Sequence, residues 1–70
     1  MINSNALKSV LMMQGHNIEW LAEKLGYTRA NMYKKLNGET KITLNEVMQI
    51  RKILDLSDEQ TKEIFFYGIS

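Results

Sequence analysis

The sequence predicts an all-α fold of five short helices. Three observations carry it. Apolar residues recur at helical spacing, most clearly at Ile18, Leu21, Ala22 and Leu25, which fall at i, i+3, i+4 and i+7. Two capping boxes, Thr43-Leu44-Asn45-Glu46 and Ser57-Asp58-Glu59-Gln60, mark helix starts late in the chain. Gly15, Gly26 and Asn37-Gly38 stand where the earlier helices must stop, because a left-handed residue closing a helix is least costly without a Cβ.

The first helix begins at a cap on Asn3 or Ser4 and runs to about Gln14, with Leu7, Val10 and Leu11 on its apolar side. Met12 and Met13 are unbranched and suited to filling irregular gaps. His16, the lone histidine, has no partner ligand nearby and is expected to be solvated, so no metal is implied. Asn17 caps the second helix, and Gly26 ends it. Small Ala22 permits the next helix to cross closely. Trp20 points off the apolar stripe at about 100° per residue, and cover from within the chain is expected over a binding role.

Thr28 caps the third helix, whose buried side is Met32 and Leu36, four residues apart. It carries polar and basic side chains on the face its core does not need, so helices two and three read as a helix-turn-helix. A fourth helix follows from Thr43 to about Leu54, with Leu44, Val47, Ile50 and Leu54 as its buried face and Ile42 packing just ahead. Arg51 is expected to lay its stem over the core edge while its charge stays wet. The fifth helix ends in Ile64-Phe65-Phe66-Tyr67-Gly68-Ile69, more apolar surface than one helix face can bury.

Seventy residues predict a single domain, 1–70, near the lower size limit for a core without staples. With no Cys, disulfides and thiolate metal sites are excluded, and nothing demands an oxidising compartment. The apolar runs are too short to span a bilayer and no signal-peptide pattern is present, so the expected location is cytoplasmic. Net charge is only +1, but its distribution is uneven. From Lys24 to Lys41, five basic residues stand against Glu39 alone, giving +4, while the rest of the chain sums to −3. The low net charge argues against a nucleic-acid partner, while the positive charge gathered around the third helix leaves two readings open, a phosphate-facing surface or a solvated helix face. The usual catalytic constellations are missing, so an enzyme is the least expected class, and no cofactor is implied.

Leu21-Ala22, Gly26, the capping Thr28 and Asn37-Gly38, with one helix before and another after, resemble the helix-turn-helix of the phage repressor and Cro family, also called the XRE family. The likeness runs from about Ala6 to Leu56. It implies a five-helix, lambda-repressor-like DNA-binding domain with the helix-turn-helix at helices two and three. It further implies a small transcriptional regulator, derived from a phage or mobile element and binding double-stranded DNA at an inverted-repeat operator.

By position, the resemblance lays the recognition helix over about 28–37 and its base-reading sites on Arg29, Ala30 and Lys34, with Asn31 and Tyr33 near the groove wall. Asn17, Thr28, Asn37, Thr40 and Lys41 become the phosphate contacts. The last helix commonly serves dimerisation in relatives, so Ile64, Phe65, Phe66, Tyr67 and Ile69 are the candidate seam of a homodimer, against the alternative that Ile64, Phe65 and Tyr67 complete the core of the single chain. Two departures matter. Many relatives carry Gln where this chain has Ile18, and many pair an Arg with an acidic residue where this chain has Leu11 and Leu36. Both ends of that ion pair have become apolar together, as expected if they meet in the core. A competing function is a protein-interaction module of the same fold, docking another regulator through Trp20 and the apolar C-terminus.

Overall fold

In the computed structural model, which describes residues 2–66, each helix starts where a side-chain oxygen takes up an otherwise orphan backbone N–H. Asn3, rather than Ser4, caps α1 (Ser4–Met13) by accepting from the Ala6 N–H. Asn17 accepts from Trp20 N–H to open α2 (Ile18–Leu25), and Thr28 accepts from Asn31 N–H to open α3 (Arg29–Leu36). Both capping boxes form in full, at Thr43 with Glu46 for α4 (Leu44–Leu54) and at Ser57 with Gln60 for α5 (Asp58–Phe65). Gly26 closes α2 at φ 77°, a left-handed turn that lets α3 leave at once. Asp55 makes the equivalent turn after α4 at φ 52°, in the region where Asp and Asn are the usual non-glycine residues.

α2 packs against both α3 and α4, and α1 packs against α5. The chain ends meet because the Asn3 N–H donates to the Ile64 carbonyl at 2.7 Å. The far end of α1 is fixed as well, where the Gln14 side-chain amide donates to the Leu54 carbonyl at 2.8 Å. Between these ties, every helix contributes to one apolar core. Leu7 and Leu11 come from α1, Ile18, Leu21 and Ala22 from α2, Met32 and Leu36 from α3. Val47, Ile50 and Leu54 come from α4, with Ile64 and Phe65 from α5. Leu11 and Leu36 are thus buried in the same core, the environment in which their joint exchange for an ion pair makes sense. Among the described residues there is no strand, and no helix is long and apolar enough to cross a membrane.

Four side chains depart from expectation. Met12 and Met13 fill no gap but stand exposed, because they fall about 100° and 200° past Leu11 and so rotate away from the core. Leu44 is not on the buried face of α4; it is 69% exposed, and the inward position of that first turn is taken by Glu46. His16 is not freely solvated but half-buried, its ring stacked on Trp20 at 3.6 Å between centroids and 6° between planes.

Candidate nucleic-acid interface

The exposed face of α3 follows from which residues pin the other face. Met32 and Leu36 are buried, and the half-buried Tyr33 and Lys35 flank them. Helical geometry then turns Arg29, Ala30, Asn31 and Lys34 outward, and all four are exposed. The sequence-expected phosphate contacts are exposed too: Asn17 at the start of α2, Thr28 at the cap of α3, and Asn37, Thr40 and Lys41 in the turn and loop after it. Each therefore stands where an external ligand can reach it. Thr28 and Asn17 also serve as caps, so a phosphate there would share the N-terminal N–H groups of their helices.

Two of the expected readers are engaged within the protein. Arg29 Nε lies 3.7 Å from Glu19 Oε2 across the α2–α3 crossing, and the Tyr33 hydroxyl donates to the same oxygen at 3.3 Å. The Arg29 guanidinium also sits 5.6 Å from the centre of the Tyr33 ring, within cation–π range. Lys34 and Lys41 make no ion pair among the described residues.

Lys35 behaves differently, and this corrects the charge reading. Its ammonium turns inward to Glu46, 3.0 Å from Oε2, with side chains only 16% and 11% exposed. It also donates to the Lys41 carbonyl at 3.3 Å and lies 5.4 Å from the centre of the Tyr27 ring. One of the five basic residues in the positive segment is thus a brace between α3 and α4 and unavailable to a ligand. Lys24 likewise leans over Trp20, its Nζ 5.5 Å from the ring centre.

The brace was not foreseen in the sequence, although Thr43-x-x-Glu46 was. Glu46 does two jobs: its Oε1 accepts from the Thr43 N–H at 2.8 Å, and its Oε2 accepts from the Tyr27 hydroxyl. Burial alone would raise the Glu46 pKa; the Tyr27 hydroxyl, the Thr43 backbone and Lys35 outweigh it and hold the carboxyl at about 2. Burial pushes the Tyr27 phenol up to about 12, and donation to the Glu46 carboxylate adds to the effect. The only cue was a Tyr in the turn and a Lys at a position of α3 that faces the body of the domain.

At the C-terminal end, Ile64 and Phe65 are buried within the single chain. They complete its own core, one of the two fates the sequence leaves open to them; Phe66, by contrast, is 43% exposed. Tyr67 and Ile69 lie outside the described residues. Trp20 is half-buried with His16 on its ring, as cover from within the chain requires. Among the described residues, no group of three or more His, Cys, Asp or Glu side chains is placed to hold a metal ion.

The family model described as the Cro/C1-type HTH DNA-binding domain matches residues 6–60. The chain belongs to that family. As a Cro/C1-type domain it is a DNA-binding, all-α helix-turn-helix protein, with α2 and α3 as its motif. No curated protein and no solved structure matches it. The match begins inside α1 and ends three residues into α5, so it covers α2, α3 and α4 in full.

Proposed function

We propose that this Cro/C1-type domain is a sequence-specific regulator of transcription that docks α3 in the major groove of an operator. The observation that carries the reading is the exposure of Arg29, Ala30, Asn31 and Lys34 on one short helix whose other side is pinned by Met32 and Leu36. In this reading Arg29 donates a bidentate pair to guanine O6 and N7, and Ala30 offers its methyl to a thymine. Lys34 reaches a guanine or a phosphate, and Tyr33 and Asn31 line the groove wall. Asn17, Thr28, Asn37, Thr40 and Lys41 hold the phosphates on either side and set the register. Glu39 is exposed in the same loop and opposes this attraction.

A domain of this kind acts most simply as a homodimer in the cytoplasm, occluding a promoter at an inverted repeat whose half-sites lie about 34 Å apart. Phe66 and the residues after it would supply the seam. A phage or mobile-element origin fits the same reading. Docking of another regulator through Trp20 and the C-terminal helix is the weaker alternative, since Trp20 is covered by His16 and two of the five C-terminal candidates are buried.

Selection of bound sequences from random duplex DNA tests the proposal. An inverted repeat is expected, with binding that weakens steeply as salt rises. Lys34→Ala, if Lys34 meets a phosphate, flattens the salt slope by about 1. Recovery of no consensus, together with unchanged duplex binding by Arg29→Ala and Lys34→Ala, would overturn it.

A further inference from the structure

The Glu19 carboxylate is an unusual neighbour for a helix that must approach a polyanion. It is 45% exposed, on α2, and a single oxygen receives both the Arg29 Nε at 3.7 Å and the Tyr33 hydroxyl at 3.3 Å. An exposed pair of this kind adds little to stability. A free carboxylate at the mouth of the groove also lowers affinity for every duplex alike. Its placement therefore needs an explanation other than folding or affinity.

The atoms involved suggest one. Glu19 engages Arg29 through Nε, on the side of the guanidinium, and the Tyr33 ring faces the same group at 5.6 Å. Nε is the Arg29 nitrogen nearest to Glu19, and no side-chain hydrogen bond from Nη1 or Nη2 is made among the described residues. A bidentate pair to guanine O6 and N7 can be given by those two terminal nitrogens. A phosphate taken by the same guanidinium would stand beside the Glu19 carboxylate and be repelled by it, whereas guanine O6 and N7 are neutral acceptors and escape that repulsion.

We propose that Glu19 is a specificity-determining residue, which rests on the reading of α3 as the DNA reader: it holds Arg29 with its terminal nitrogens presented for guanine and withholds it from phosphates on non-cognate duplex. Tyr33 is the second support of the same guanidinium. Arg29 is then a base reader that contributes little to non-specific binding, in spite of its charge.

The test compares the full chain with Glu19→Gln, Tyr33→Phe and the double variant Glu19→Gln/Arg29→Ala. Each is titrated with the selected operator, the operator with the Arg29 base pair changed, and a random duplex, across a range of salt. Glu19→Gln keeps an acceptor for the Tyr33 hydroxyl and removes only the charge, so its melting temperature should match the parent. Random-duplex binding is expected to tighten several-fold, with a salt slope steeper by about 0.9 as Arg29 gains a phosphate. Operator binding should change less, so discrimination falls. In the Arg29→Ala background the effect of Glu19→Gln on discrimination should vanish, and Tyr33→Phe should give a smaller loss of the same sign. Equal tightening on operator and random duplex, or persistence of the effect without Arg29, would overturn the role of Glu19 alone. A parent protein that shows no preference among duplexes would remove the reader assignment and this role with it.

Discussion

Glu19 and Glu46 occupy parallel positions and do opposite things. Each accepts a tyrosine hydroxyl and faces a basic side chain of α3: Tyr33 and Arg29 for Glu19, Tyr27 and Lys35 for Glu46. The difference is burial. Glu46 and Lys35 are 11% and 16% exposed, so their attraction is little screened and a missing partner would strand a charge. Glu19 and Arg29 are 45% and 72% exposed, so water can replace either partner at small cost. The same chemistry is a permanent brace at one end of α3 and an exchangeable contact at the other.

Breaking the buried member should have the largest effect. Glu46→Ala leaves Lys35 and Tyr27 without their acceptor and removes half of the α4 capping box, and a loss of about 3 kcal/mol is expected in urea unfolding. Acid should reproduce that loss in the parent. The Glu46 carboxyl is lowered from 4.5 to about 2 by folding, so the stability it contributes is present above pH 4.5 and is lost as pH falls from there through about 2. The loss amounts to about 3 kcal/mol over that window, and the Glu46→Ala protein should lack this part of the acid limb. A Glu46→Ala protein with an unaltered acid limb would show that the brace is not ionic.

Tyr27→Phe removes one donor to the same carboxylate and keeps Lys35, so a smaller loss of about 2 kcal/mol is expected. The parent should also weaken in alkali: the Tyr27 phenol is raised to about 12, so its contribution is present below pH 10 and is lost as pH rises through 12. Thermal melts of parent and Tyr27→Phe across pH 9 to about 12 compare the two directly.

The exposed member should reverse the pattern. Arg29→Ala is expected to leave unfolding unchanged within about 0.5 kcal/mol and to weaken operator binding by about 1–3 kcal/mol. Glu19→Ala should be smallest in stability, also within about 0.5 kcal/mol, and visible only in duplex discrimination. If Glu19→Ala destabilised the domain as much as Glu46→Ala, the contrast drawn from burial would fail.

Much of this architecture could be read before any coordinates because helix caps are local. Asn17, Thr28, Thr43 and Ser57 each bond a group three residues on, so a short window of sequence contains the whole interaction. The apolar stripe of α2 was legible for a similar reason, since Ile18, Leu21 and Ala22 lie on one face whatever they pack against. The exposed reader positions of α3 followed from the same periodicity once Met32 and Leu36 were taken as buried. Errors arose where a residue had two eligible fates. Leu44 is apolar and near a helix start, yet the helical phase set by Val47, Ile50 and Leu54 turns it outward and brings Glu46, four residues before Ile50, to the inward side.

The sequence by itself determined where helices begin and end, that five of them enclose an apolar core, and that the chain is a Cro/C1-type helix-turn-helix domain. Tertiary structure alone decided which basic residues remain free for DNA. Lys35 meets Glu46 across 11 residues, Tyr27 meets it across 19, and Tyr33 reaches Glu19 across 14. Such partners are chosen by how helices cross and by how much water is left between them, and neither is written in the spacing of residues along one helix.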